Sequence, residues 1–505
     1  MFDWMRSLYR GMEYRVRLGD EISEPFQSKW GILAGDSASP SLFCGYMHDY
    51  NPPVTVDDLI ILLVIISVLV FADDIAKFLP VSPIAPDLHH LQTKLDYTEK
   101  EFCARSSFLE LNADKSKLLL IGARNPPIAP LTVENGTRIV ETVDSFVYSG
   151  ITFSSDIRNV FSGHYTLRAK QAQNAVYAVF ASEAYVGSLS VVHAVRIYYA
   201  RVDPYLIHGY EAIVDIKESD LRKLQKVQIG FLRRLLGLHP RCPLALLFTE
   251  TGIMPIRHRR LILSLKYAKH TLEQSSNHFA NVSFRDSRVM HSTNRSCFVG
   301  DLVKALKKLP DFHVDVDVRS FETVEGIDNL IECVQEACAR HLASGISSER
   351  TPLLNPILRG LKEDSIQSVI VLRKYFKFIT VSSHRKALSR LLSADHFLAV
   401  ERYRHITYDN GQPIPRCERR CRYCRVCVED EVHVLFHCSA LQLLVARRQK
   451  LFARVNVLIG ETAGNDLRHL CLSDSPRAVH RFLDHPDLCP TFAKYVFDIL
   501  KFFPL

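Results

Sequence analysis

Leu59-Ile-Ile-Leu-Leu-Val-Ile-Ile-Ser-Val-Leu-Val-Phe-Ala-Asp-Asp74 is an apolar run that ends on two adjacent carboxylates. Its Val and Ile content favours strand over helix, because β-branched side chains are stiff in a helix and pack well on a pleated surface. Fourteen residues separate Asp58 from Asp73, short of the roughly 20 that a helix needs to span a bilayer. The run therefore reads as a buried strand or strand pair, and no membrane segment is expected. Charge at the tip of such a strand is costly unless it is paired or binds metal. Asp73 and Asp74 accordingly suggest a Mg2+ site and phosphoryl-transfer chemistry.

The surrounding composition is compatible with that chemistry. The 505 residues are 47% hydrophobic and 23% charged, with a net charge of +8. This is an ordinary globular balance, long enough for several domains, and its mild basicity permits a nucleic-acid partner without requiring one. Met1 is followed by Phe-Asp-Trp-Met-Arg, with no apolar signal core. A nuclear or cytoplasmic location is expected. Five of the thirteen cysteines fall from Cys417 to Cys438, which in a reducing compartment points to a local metal site rather than a disulfide framework.

Upstream of the aspartates, Gly31-Ile-Leu-Ala-Gly35-Asp36 is a glycine-punctuated loop, and Ser39-Pro40 opens a helix. Downstream, Leu88 to Phe108 has helical spacing, Lys115 to Ile121 is a β-type run, and Asn135-Gly136 is a hairpin signal. Phe146 to Phe153 alternates like a strand. After about Phe161 helical patterns dominate. One of them, Ser219 to Leu236, should stop at Gly237 and carries Arg222, Lys223, Lys226, Arg233 and Arg234 outside. That face could track a nucleic-acid backbone. Arg257-His-Arg-Arg260 could act as a nuclear signal. Ser275 to Ser296 reads as a linker, and His384 to His405 as a helix.

The ordered series of glycine loop, Ser39-Pro40, Phe71-Ala-Asp-Asp74, Asn112-Ala-Asp-Lys115 and Phe146-Val-Tyr-Ser-Gly150 resembles the palm of non-LTR (LINE-like) retrotransposon reverse transcriptases. Arg234-Leu-Leu-Gly237 and Glu250-Thr-Gly-Ile-Met-Pro255 resemble the helical region that follows it. The resemblance implies RNA-directed DNA synthesis. Asp73 and Asp74 would hold Mg2+, and Lys115 would lie near the incoming nucleotide. Gly31, Gly35 and Ser39 would shape the substrate floor, and Phe146, Tyr148 and Gly150 would grip the primer end. It also implies a further aspartate on a strand before the glycine loop. Asp3 and Asp20 lack that context, Ala34 stands where many relatives have glutamine, and Ser37 stands where they often have proline. The expectation is an N-terminally truncated palm that does not polymerise alone, unless a partner chain supplies the missing strand.

The second constellation is Cys421, Cys424, His433 and Cys438, with spacing C-x2-C-x8-H-x4-C. Zinc takes four N or S ligands in a tetrahedron, and a C-x2-C knuckle supplies two from one turn. Cys417, Cys427 and His437 are alternates. The segment resembles the Cys/His motif at the C-terminus of the same retrotransposon proteins. Arg416, Arg419, Arg420, Arg422 and Arg425 crowd it, and their mutual repulsion suggests an RNA or DNA backbone as partner. The expected fold is α+β: a partial palm of antiparallel sheet and helices over residues 1–155, a helical thumb-like region over 156–290 and a helical linker region over 291–410. A zinc knuckle over 411–445 and a helical tail over 446–505 complete it. A non-enzymatic RNA- or DNA-binding protein is the alternative to a polymerase.

Overall fold

The computed structural model describes residues 10, 12–27, 37–56, 58–62, 64–66, 68–71, 74–104, 109–346, 350–354 and 369–504. The chain is mixed α+β, about 54% helical with small antiparallel sheets. It forms two compact units, Met1–Asp144 with Ser155–Ile157, and Ser145–Ser154 with Arg158–Leu505.

The sheets of the first unit are two-stranded. Arg17–Leu18 pairs with Glu21–Ile22 about the Gly19-Asp20 turn, and Thr132–Val133 pairs with Arg138–Ile139 about Asn135-Gly136. Lys117–Leu118 and Glu141–Thr142 form a parallel pair. The apolar run is not one buried strand. Leu59–Ile61 pairs with Val64–Ile66, and Leu69–Phe71 pairs with Asp74–Ala76. Leu62, at φ 53°, turns the chain inside the first hairpin. Ile66 is 6% exposed but Ile60 is 60% exposed, because a two-stranded ribbon with no layer over one face leaves alternate side chains in water. The helix Ser39–Tyr46 carries Pro40 in its first turn, as expected. The helix His89–Ala104 buries Lys94, which pairs with Asp58. Two small clusters, around Leu131 and Val133 and around Tyr50 and Phe102, supply the apolar packing.

In the second unit one hydrophobic core runs from Tyr165 to Phe503, and a second cluster joins residues from Val214 to Val334. The helix Glu218–Leu236 buries Leu221, Leu224, Val227, Phe231 and Leu235 and ends at Gly237 in the left-handed conformation, φ 72°. This is the expected amphipathic helix with a glycine stop. Two expectations change. The serine-rich stretch expected as a linker contains the helix Phe279–Ser292, which buries Val282 and Phe284. Its serines are useful polar groups: the Ser287 hydroxyl accepts the Val299 N–H at 2.9 Å. The helix expected to reach His405 stops after Ser382–Leu392, where Ala394 adopts φ 54°. Four helices close the chain: Gln442–Ile459, Glu461–Ser473, Ser475–Asp484 and Leu488–Leu500. Among the described residues no helix is long and apolar enough to cross a membrane.

Candidate metal centre

Cys421 sits on a tight turn. Its N–H donates to the Cys427 carbonyl and its own carbonyl accepts the Arg425 N–H, both at 2.8 Å. Arg425 takes φ 58° to allow this. The turn aims successive amides at sulfur. Those of Tyr423 and Cys424 face the Cys421 thiol, and those of Val426 and Cys427 face the Cys424 thiol. The other two ligands come from the helical turn His433–His437 and the residue after it. Asp430 starts that turn by accepting the His433 N–H at 2.9 Å, and the Cys438 N–H closes it on the His433 carbonyl at 2.8 Å.

Together these turns bring one donor atom from each of Cys421, Cys424, His433 and Cys438 within 4.8 Å of one another. The Cys421 and Cys438 sulfurs are 3.9 Å apart, and the Cys424 sulfur lies 3.4 Å from His433 Nε2. A tetrahedron has edges about 1.6 times its centre-to-corner distance. Zn–S bonds of about 2.3 Å and Zn–N bonds of about 2.0 Å therefore put two sulfurs about 3.8 Å apart and a sulfur and nitrogen about 3.5 Å apart. The cluster could hold a metal ion such as zinc, and both edges fit. Cys417, Cys427 and His437 are exposed and stand outside the group of four.

A metal binds the thiolate and the neutral imidazole, and the three shifted ligands differ in how close they stand to those forms. Burial pushes the Cys421 thiol up to about 12 despite the amides that face it. Burial also raises Cys424, but the Cys427 and Val426 amides, with help from the neighbouring thiols, bring it below the ordinary thiol value. Burial lowers the His433 imidazole, leaving the neutral ring that a metal requires.

Around this cluster Arg419 and Arg422 turn inward, and the exposed Arg416 and Arg420 are held by local partners. Arg422 makes a bidentate contact with Glu429, Nε to Oε2 at 3.1 Å and Nη2 to Oε1 at 3.0 Å, and also reaches the Phe397 and Pro504 carbonyls. Glu429 is 0% exposed and takes two more N–H groups, from Ala399 and Arg422. Arg419 donates to the Val400 and Ile414 carbonyls, Arg420 to that of Val426, and Arg416 pairs with Asp430 at 3.1 Å. Arg425 is exposed. The repulsion inferred from sequence is thus offset inside the fold. Sequence reasoning missed Glu429 as the partner of Arg422, although the acidic run Glu429-Asp430-Glu431 was the available signal. It also missed His396, whose Nε2 lies 2.8 Å from buried Glu431.

The other expected site residues are dispersed. Gly31, Gly35 and Asp73 lie outside the described residues. Asp74 is exposed at the start of its strand, and among the described residues it joins no group of three potential metal ligands. Mg2+ therefore has no described site. Ser39 is buried at the head of its helix, and Lys115 is exposed after an Asn112 side-chain turn. Three residues past Asp74, burial and the charge of Lys94 pull the Lys77 amine down to about 7.

Phe146, Tyr148 and Gly150 belong to the second unit. They form a hairpin, Ser145–Tyr148 with Ile151–Ser154, rather than one strand. Ser149 and Gly150, at φ 47° and 77°, make its two-residue turn. The Gly150 carbonyl accepts from Arg168, and a Cβ there would lie 3.1 Å from the His208 ring. The basic helix is also largely engaged. Arg222 lies 3.5 Å from Glu218, Lys223 bonds Asp220 at 2.9 Å, Arg233 donates to Pro240 and Arg234 stacks on Phe180 at 4.3 Å. Arg257, Arg259 and Arg260 pair with Glu218, Asp203 and Asp215, and Arg260 is 2% exposed. No protein-family model, curated protein or solved structure matches the chain.

Proposed function

We propose that the chain is a zinc-organised RNA- or DNA-binding protein derived from a non-LTR retrotransposon reverse transcriptase, and that it does not polymerise by itself. The observation that carries this reading is the Cys421, Cys424, His433 and Cys438 cluster. Its spacing resembles the family's C-terminal motif, its four donors lie within 4.8 Å of one another, and two of their separations match a zinc tetrahedron. The ordered palm-like series earlier in the chain supports the same ancestry. Polymerisation needs two cations that clamp the attacking and leaving oxygens, held by carboxylates from separate strands. Asp73 and Asp74 would be the ligands this chain offers. The hairpin ending in Asp74–Ala76 pairs with no third strand among the described residues, which favours binding over catalysis.

The test uses the purified full chain. Fluorescence anisotropy with labelled single-stranded RNA and DNA should report binding that weakens as salt rises and as zinc is removed. Primer extension with Mg2+ should give no product. Absence of binding at low salt would sink the reading, and incorporation abolished by Asp73→Ala would sink its non-catalytic part.

A further inference from the structure

The helix Gln442–Ile459 leaves the metal centre four residues after Cys438 and holds four bases, Arg447, Arg448, Lys450 and Arg454, with no acidic residue. Leu444, Leu451, Phe452 and Val455 are its buried face. Arg448 points inward and fastens the helix to the ligand turn, donating to the Leu435 carbonyl at 2.9 Å and the Cys438 carbonyl at 3.0 Å. Arg447, Lys450 and Arg454 are exposed. At about 100° per residue they fall within roughly 60° of one another on the outward side, over about 10 Å of helix. Arg447 shares Asp498 at 3.5 Å. Lys450 and Arg454 make no ion pair or hydrogen bond among the described residues.

This differs from the two basic regions singled out from the sequence, the knuckle arginines and the helix Glu218–Leu236. Four of the five knuckle arginines are spent on Glu429, Asp430 and backbone carbonyls. On the helix Glu218–Leu236 the acids Glu218 and Asp220 lie among the bases, and Lys226, exposed and without an ion pair or hydrogen bond among the described residues, stands alone rather than beside a second free cation. Unpaired cations on a rigid helix lose little on meeting a polyanion, because no internal pair has to break first. Ala446, Gln449 and Ala453 are also exposed on the helix. The large apolar side chains exposed there, Leu443 and Val457, stand about 21 Å apart along the axis with Lys450 between them. The face therefore lacks the continuous apolar strip by which a helix enters a lipid surface.

We infer that the outward face of Gln442–Ile459, through Lys450 and Arg454 with Arg447 at its border, is the phosphodiester-binding surface of this protein, and that the metal centre holds it in place. The inference rests on the proposed nucleic-acid binding and assigns it to a surface. Phosphate contacts of this kind carry affinity and little sequence information.

The test compares the full wild-type chain with Lys450→Glu/Arg454→Glu, Lys450→Gln/Arg454→Gln and Lys226→Glu. Labelled single-stranded RNA, duplex DNA and phosphatidylserine vesicles are the probes. Each phosphate contact adds about 0.7 to 0.9 to the slope of log affinity against log salt. Both double variants should keep their zinc and melting temperature, lose about 1.5 units of that slope, and bind about tenfold or more weakly at 0.1 M salt. Lys226→Glu should change affinity by less than about twofold. The RNA and DNA arms show which polymer is preferred. Wild-type affinity retained by both double variants overturns the assignment while leaving the proposed function standing. So does equal weakening by Lys226→Glu, or tighter binding to vesicles than to either nucleic acid. A wild-type chain that binds neither nucleic acid overturns both.

Discussion

The Leu69–Phe71 and Asp74–Ala76 hairpin and the Cys421–Cys438 turn pair both carry residues whose chemistry suggests a metal, yet among the described residues only the turn pair assembles a ligand set. The difference is one of reach. The four candidate metal ligands lie within an 18-residue stretch, so two turns suffice to gather them. The two-metal site that the resemblance implies takes a further carboxylate from another strand, and among the described residues the sheets of the first unit have two strands each. The second unit also rests its ligand turns on a continuous core. Tyr495 donates to the Leu435 carbonyl at 2.5 Å, and Tyr423 to that of Phe502 at 2.6 Å.

The largest effect should come from the metal. Structural zinc contributes about 10–16 kcal/mol in isolated zinc-finger peptides. Chelation, or Cys421→Ser with Cys424→Ser, should lower the melting temperature by about 10 °C or more. Calorimetry with metal analysis checks this, and an unchanged melt in metal-free protein would erase the contrast between the two regions.

Arg422→Ala should come next. It removes the bidentate partner of fully buried Glu429, and an uncompensated buried charge costs about 3 kcal/mol. Urea denaturation measures it. A loss below about 1 kcal/mol would mean that the arginine is effectively solvated and its inward pairing unimportant.

Acid sensitivity should also belong to the second unit. Burial pulls His258 down to about 3 and His164 to about 4, while the unfolded chain keeps ordinary imidazoles. Between those values and about 6.5 the unfolded state binds more protons, so stability rises with pH and falls on acidification. Each group contributes a slope of up to about 1.4 kcal/mol per pH unit. His258→Leu should flatten the loss between pH 6 and pH 4 in denaturation series. A slope identical to wild type would refute the assignment of that proton.

The smallest effect is expected at Asp74. It is exposed, so Asp74→Ala should change stability by less than about 0.5 kcal/mol. A larger change would indicate that the hairpin is part of an assembled carboxylate site after all.

Part of this architecture is legible in the residues alone. The Glu218–Leu236 helix and its Gly237 stop follow from period and punctuation, as does the Asn135-Gly136 hairpin. The linker reading of Ser275 to Ser296 fails because serine and asparagine counts hide Val282 and Phe284, which are enough to bury one helix face. The strand-pair form of the reading of Leu59 to Ala72 matches the two hairpins, but the expected burial is only partial, because composition reports what a strand would like to bury and a strand is buried only if other layers cover it.

By itself the sequence located the Cys/His cluster within Cys417 to Cys438, since ligands within two turns of each other are constrained by the local chain. It could not choose against Cys417, Cys427 and His437, nor show that Arg422 faces Glu429 and the carbonyls of Phe397 and Pro504. Those outcomes depend on segments that packing brings together from up to 82 residues away in the chain. Whether a charge is spent inside the fold or left for a partner is decided by tertiary contacts, and only they separate Arg419 and Arg422 of the knuckle from Lys450 and Arg454.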